Sequence, residues 1–301
     1  MAALITVLTA TYNRAHLLPD LYSSLCRQTS HNFEWLIIDD GSTDETSKLV
    51  DEWKSSQRDF QICVVSTENK GKNRAINTGV QLIKTPFTMI VDSDDFLTDD
   101  AIAFLSRKSE EVLECNTIAG VAGMRSSSSQ MQDQNSGSDV YILASNLERS
   151  TYNLQADANE VYKTSLLRTH PFTVWPGEKF VPEEIVWNQL ALEGYRLRWY
   201  KKVTYISRYQ ENGMTRGSWK LFKDNPMGYA MMFNQRIILN DSIKQKVYNS
   251  LQMVSCCILG NELGYLLKSN APFFSLCLLI PSFLLSERRK SQFKRFILNE
   301  A

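Results

Sequence analysis

The first hundred residues switch repeatedly between two hydrophobic periods, and that switching restricts the fold more than any other feature of the chain. Residues 4–8 form a short apolar run, after which Leu17, Leu18, Leu21 and Leu25 recur at helical spacing to about Gln28. Residues 33–39 (FEWLIID), 62–67 and 87–91 read as three further strands. Between them Leu49, Val50 and Trp53 supply one buried helical face, and Ala75, Ile76, Gly79, Val80 and Ile83 supply another after Gly71. Ser42-Thr-Asp-Glu45 fits an S-x-x-E capping box and predicts a helix start at that point. Strands separated by helices of this length imply βαβ units, hence a mostly parallel, Rossmann-like sheet with helices on both faces. In such sheets ligands bind beyond the carboxyl ends of the strands. Those ends carry residues 9–14, 39–42, 68–73 and 92–95, all polar, so the topology itself predicts a site.

The chain has 301 residues, enough for one large domain or one domain plus an appendage. Lys+Arg and Asp+Glu number 33 each. A surface built to follow nucleic acid would show a basic excess, and none is present. Six cysteines without a C-x-x-C, and three histidines away from metal-finger spacing, read as reduced, buried thiols of a cytosolic compartment. The N-terminus lacks a basic leader region and reads as a first strand, and no apolar run reaches the ~18–20 residues that span a bilayer. Residues 126–139 (SSSSQMQDQNSGSD) read as a polar loop. Residues 160–163 and 197–206 read as strands, with helices from Thr164 and over 183–193. From about Trp219 the pattern is helical and apolar, which predicts a domain over 1–215 and a C-terminal helical region over 216–301.

Asp92-Ser93-Asp94-Asp95 follows an apolar strand. Carboxylates this close repel one another unless a cation sits among them, and Mn²⁺ or Mg²⁺ completed by substrate phosphates is the natural partner. An EF-hand is excluded because Phe96, Leu97 and Ala103 occupy its ligand and glycine positions. Asp39-Asp40-Gly41-Ser42-Thr43 also invites comparison with an aspartyl-phosphate phosphatase, but its hydroxyl-rich stretch reads as a capped helix rather than a phosphate loop. The first strand has no G-x-G-x-x-G behind it, and the P-loop, the G-x-S-x-G elbow and H-E-x-x-H are all absent.

Four segments taken together are more specific. Val7-Leu-Thr-Ala-Thr-Tyr-Asn-Arg14, Leu36-Ile-Ile-Asp-Asp-Gly-Ser-Thr-Asp44, Glu68-Asn-Lys-Gly-Lys-Asn-Arg-Ala-Ile-Asn-Thr-Gly79 and Ile90-Val-Asp-Ser-Asp-Asp95 lie in order along the chain. With them the chain resembles the family 2 glycosyltransferases, inverting nucleotide-sugar enzymes of the GT-A fold. The resemblance is strong over residues 1–110, moderate from about 155 to 215 and absent beyond that. It implies that Thr11 and Tyr12, with Asn13 and Arg14 following, flank the base of a UDP-sugar, and that Asp39, beside Asp40, accepts from the base ring N–H. Asn69, Gly71, Lys72 and Asn77 would lie over the nucleotide-sugar. Asp92 and Ser93 would stand near the ribose or sugar. Asp94 would hold the metal with Asp92, and Asp95 would act beside it or as an alternative ligand. Relatives often add a histidine ligand after the last strand; here water, Asn212 or Glu211 would substitute, and Arg208 or Arg216 would meet phosphate. Glu183, with Glu184 next, fits the family's general base at the start of a helix, and the choice between the two stays open.

The resemblance also implies a glycan or lipid-linked acceptor and a place in assembling a bacterial surface polysaccharide. A non-catalytic nucleotide-sugar binder or scaffold is the alternative. A nucleotide-sugar pyrophosphorylase is disfavoured because its glycine-rich activating loop is missing. The C-terminal stretch 273–285, interrupted by Pro281, precedes Arg288, Arg289, Lys290, Lys294 and Arg295. It reads either as an apolar helical hairpin packed on the rest of the chain or as a peripheral contact with the inner face of the cell membrane.

Overall fold

The computed structural model describes residues 3–56, 59–127, 139–154, 158–208, 218–239 and 241–300. The chain divides into two units, residues 1–172 with 186–209, and residues 173–185 with 210–301. The 173–185 segment groups with the C-terminal helices.

In the first unit β1 (Ile5–Thr11) is followed by α1 (Leu18–Cys26), β2 (Phe33–Asp39), α2 (Thr46–Ser55), β3 (Gln61–Ser66), α3 (Lys72–Leu82) and β4 (Phe87–Ile90). β1 pairs in parallel with β2 on one side and β4 on the other, and β2 pairs in parallel with β3. Successive residues of a strand face opposite sides. Ile5, Val7, Trp35 and Ile37 therefore join a core with Leu18, Leu21 and Leu25 of α1 and Val50 and Trp53 of α2. Leu8, Leu36 and Ile38 join a second core with Ala75, Ile76 and Val80 of α3. Helices cover both faces, as the periodicity predicts.

The sheet continues with β5 (Phe96–Leu97), then, after α4 (Ala101–Glu110), with β6 (Ile118–Ser127), β7 (Tyr141–Ala144), β8 (Ala158–Lys163) and, beyond α5 (Thr164–Thr169) and α6 (Glu184–Leu192), β9 (Arg196–Ser207). Its order is β3-β2-β1-β4-β8-β6-β9-β5, with β7 on β9. β8 runs antiparallel to both β4 and β6, so the parallel half predicted from sequence passes into a mixed half. β6 and β8 approach so closely at Gly120 that a Cβ there would stand 1.9 Å from the Val161 carbonyl oxygen.

The second unit contains α7 (Ser218–Asp224), α8 (Pro226–Ile238), α9 (Ile243–Leu259), α10 (Pro272–Cys277) and α11 (Leu279–Glu300). Met227, Ala230, Phe233 and Ile237 of α8 pack with Met253, Val254, Cys256 and Cys257 of α9. The 173–185 segment is tied to this unit by capping. The Glu178 carboxylate accepts from Met227 N–H and Gly228 N–H, both at 2.7 Å, and Asn225 Oδ1 accepts from Lys179 N–H and Phe180 N–H at 2.9 Å. The Glu178 bonds satisfy donors that the start of α8 leaves open, and the Asn225 bonds hold the 179–180 loop.

Two sequence expectations are corrected. The capping box does not form: α2 begins at Thr46, whose N–H donates to Asp44 Oδ1 at 3.0 Å, while Ser42 Oγ accepts from Asn13 N–H. The six cysteines are free, but Cys26 and Cys277 are exposed rather than buried. Most of the polar 126–139 stretch lies outside the described residues.

Gly120→Ala is expected to lower stability by about 1–3 kcal/mol, because the added methyl must displace backbone rather than a movable side chain. A urea titration reads this as a fall in midpoint, and an unchanged midpoint would contradict the close β6–β8 approach.

Candidate active site

The parallel register brings the site together before any side chain acts. Thr11 lies opposite Asp39, and Asp39 opposite Ser66, so the carboxyl ends of β1, β2 and β3 form one edge. The chain runs outward from β1 to β2 and β3, then returns to place β4 on the other side of β1. That is a topological switch point, where open α/β sheets keep a crevice. Asp92 stands two residues beyond Ile90, which pairs with Leu8 of β1.

Asp40 organises the β2 side. It is buried; Oδ1 accepts from Lys70 N–H at 2.9 Å and Oδ2 from Gly71 N–H at 2.8 Å. Gly71 has φ 96° and Gly41 φ 78°, and a Cβ on Gly41 would come within 2.9 Å of Asn69 N. Only glycine fits both demands at residue 41. Asp39 is buried as well, with Oδ1 accepting from Ser42 N–H and Oδ2 from Ser47 Oγ. Each of its oxygens retains a further lone pair, which the base-binding role implied by the resemblance needs.

The loop after β1 is stitched to the loop after β2 through Asn13. At φ 53° it donates its N–H to Ser42 Oγ and accepts through Oδ1 from Thr43 N–H at 2.8 Å and Asp44 N–H at 3.3 Å. Arg14 N–H donates to Thr46 Oγ1 at 2.9 Å. Tyr12 is exposed beside them, and the buried Thr11 Oγ1 has no hydrogen-bond partner among the described residues. An orphaned buried hydroxyl at a strand end is a costly feature that a ligand would relieve.

Asp92, Asp94 and Asp95 bring carboxylate oxygens within 4.8 Å of one another. Lys72, the first residue of α3, places Nζ 2.7 Å from Asp92 Oδ1. Burial alone would raise the Asp92 pKa, but Lys72 first, then Arg125 and Arg14, outweigh it and hold the carboxyl below its ordinary value. Asp95 behaves oppositely. Its burial pushes it up to about 6; the Arg125 guanidinium and the Tyr205 hydroxyl pull it down, and Asp94 and Asp92 add to the rise. Arg208 N–H donates to Asp95 Oδ1 at 3.1 Å, and Asp92 N–H donates to the Tyr205 hydroxyl at 3.2 Å. Ser93 is buried within this turn. The donor set, three hard carboxylate oxygens with one group resisting ionisation chiefly through burial, fits Mn²⁺ or Mg²⁺.

Not every predicted residue joins this group. Asn77 clamps the Phe172 backbone, donating to its carbonyl and accepting from its N–H, both at 2.8 Å. Asn69 lies in the loop that Gly41 must clear. The Arg208 side chain pairs with Asp20 and lies over the Phe96 ring instead of standing free for phosphate. Glu211, Asn212 and Arg216 lie outside the described residues. Glu183 and Glu184 stand at the start of α6, in the segment belonging to the second unit. There Glu184 is held by Arg236 through two bonds of 2.7 and 2.6 Å. Sequence reasoning missed Arg125 on β6 and Tyr205 on β9. Arg125 reaches Asp95 at 3.5 Å and covers the Tyr205 ring, and neither residue carries a local signal, since both arrive by non-local strand pairing.

The described fold is that of the GT-A glycosyltransferases. Staphylococcus aureus TarS, residues 1–349 in complex with UDP-GlcNAc, superposes with a TM-score of 0.61 over 97% of this chain and 92% of that one, at 15% identity. The mannosyltransferase PcManGT from Pyrobaculum calidifontis, in complex with GDP-Man and Mn²⁺, gives 0.56 over 97% and 83%, at 17% identity. At such identities the likeness concerns the fold alone. Residues 6–149, just under half of the chain, match the glycosyl transferase family 2 model. Among curated relatives, the teichoic acid poly(glycerol phosphate) polymerase of Staphylococcus epidermidis is 27% identical over 167 residues, 55% of this chain but only 23% of that protein.

Asp95 gives the site a measurable pH signature. Its folded pKa, about 6, lies above the ordinary 3.8, so the folded chain binds the extra proton between those values. Stability contributed by the protonated form is therefore lost as pH rises from about 4 through 6. Without added metal, Asp95→Asn is expected to gain about 2 kcal/mol over the parent at pH 7.5. The gain should vanish below about pH 4. Urea titrations across pH check this; a gain independent of pH would place the cause elsewhere.

Proposed function

We propose that the chain is an inverting glycosyltransferase that moves a sugar from a UDP-sugar to a hydroxyl of a glycan or lipid-linked acceptor, in assembly of a bacterial surface polysaccharide. The observation carrying this reading is the pairing of opposite charges at the switch point. Three carboxylates able to hold a cation stand against Lys72, which is able to hold a phosphate. Support for the donor class comes from the UDP-GlcNAc and GDP-Man bound by the two structural neighbours, and for the setting from the teichoic acid polymerase.

In this reading Thr11 and Tyr12 receive the base, and Asp39 accepts its ring N–H on the lone pairs that Ser42 and Ser47 leave open. Lys72 exchanges Asp92 for the donor diphosphate, a shift between two anions within reach of one ammonium group. Asp94, with Asp92 and Asp95, would hold Mn²⁺ or Mg²⁺, whose charge neutralises the departing nucleoside diphosphate. The acceptor hydroxyl attacks the anomeric carbon and gives its proton to Glu183, while the bond to the diphosphate breaks with its electron pair on the leaving oxygen. Glu183 is taken as the base with Glu184, whose carboxylate is held by the Arg236 fork, next to it.

UDP release from a panel of UDP-sugars with Mn²⁺ tests this. Asp94→Ala should lower turnover by roughly a hundredfold or more. Glu183→Gln should lower kcat by about 10²–10⁴ while leaving the donor-induced thermal shift intact. A larger loss in Glu184→Gln would exchange the two roles. A thermal shift with no turnover of any donor by the parent chain would instead indicate a binding protein.

A further inference from the structure

We propose that the outward face of α10 and α11 docks on an anionic lipid surface. No described helix is long and apolar enough to cross a membrane, so the contact considered is one lying on it. The inner face of α11 is fixed by its partners. Ser282 Oγ donates to the Leu251 carbonyl at 3.1 Å, Arg289 reaches Ser255 Oγ at 3.1 Å and covers the Phe222 ring, and Phe296 stacks on Trp219. At about 100° per residue the opposite face carries Ile280, Phe283 and Leu284 in its first turns, then Arg288, Lys294 and Arg295.

Ile280 is 77% exposed and Leu284 64%, and the preceding α10 leaves Phe273 at 73% and Leu276 at 64%. Pro281 falls in the first turn of α11, where a proline is tolerated, so it marks a helix start and does not fold 273–285 into a self-covering hairpin. The apolar side chains therefore remain outside, and clustered exposed apolar surface of this kind marks a contact. The charge that follows identifies the occupant. Among residues 279–297 there are five cations and one acid, Glu287, which pairs with Lys290. Arg288, Lys294 and Arg295 form no ion pair among the described residues. Apolar insertion followed along the same face by unpaired cations matches a membrane interface whose headgroups carry negative charge.

Flotation of the full chain with vesicles tests this, independently of catalysis. The parent should rise with phosphatidylglycerol-containing vesicles, stay down with phosphatidylcholine alone, and lose binding as salt increases. Ile280→Asp with Leu284→Asp, and Arg288→Glu with Lys294→Glu and Arg295→Glu, should each cut the bound fraction at least about tenfold. Because these positions are exposed, circular dichroism melts should match the parent, and UDP release from a soluble donor should be unchanged. Absence of flotation overturns the proposal, as does flotation that both variants retain. A dimer seen by light scattering and broken by the aspartate pair, with no flotation, would overturn it in favour of self-association.

Discussion

The Asp40 carboxylate is the contact on which the site's geometry depends. A buried carboxylate is tolerated only where donors replace water, and here the backbone N–H groups of Lys70 and Gly71 do so. The bond fixes where α3 begins, since Gly71 can take φ 96° and Lys72 must then be the first helical residue. Lys72 in turn delivers its ammonium to Asp92, on the far side of β1 from Asp40. One carboxylate thus sets the position of a cation across three strands. The glycine at residue 41 completes the arrangement by letting the 67–69 loop approach to a distance any side chain would block.

Around this contact the sheet performs a division of labour. Its parallel half aligns the strand ends, and its mixed half backs the acidic turn. β9 brings Tyr205 under Asp92 and Asp95, and β6 brings Arg125 beside Asp95. Because Tyr205 is buried and its hydroxyl takes the Asp92 N–H, the turn carrying the carboxylates is held by backbone as well as by charge. Its own ionisation is strongly suppressed, by burial first and then by the adjacent carboxylates, so it stays a neutral donor and acceptor.

Much of this was legible because it is local. Strands and helices up to residue 91 follow from period alone, and the clusters at their ends follow from the topology those periods imply. What escaped prediction depends on pairs distant in sequence. Ser42 and Glu45 have the spacing of a capping box, yet Ser42 is drawn to Asn13, twenty-nine residues away, and Asp44 takes over the helix start. Asn77 reads as part of a donor-facing stretch, but its amide meets Phe172, a partner that helical spacing cannot reveal. The grouping of 173–185 with the C-terminal helices is held by Glu178, which caps the start of α8, and by Asn225, which accepts from the Lys179 and Phe180 N–H groups, partners distant in sequence.

The two ends of the acidic turn carry opposite electrostatic biases, and the contrast explains how such a crowded cluster is stable before a ligand arrives. Asp92 is kept ionised by Lys72, Arg125 and Arg14, whereas Asp95, more deeply buried, holds its proton up to about 6. Like charges three residues apart are thereby reduced without removing either carboxylate, the same separation of environments that lets paired acids take different roles. Breaking the Lys72–Asp92 pair outright would take from Asp92 the largest of its counter-charges and leave Arg125 and Arg14 to offset a half-buried carboxylate. In the proposed reading an incoming diphosphate would offer Lys72 a second anion as Asp92 turns to the metal, so that the exchange would keep the charges compensated. The ion pair would then stand in for the ligand, with Lys72 carried on α3, which is anchored through Gly71 to Asp40.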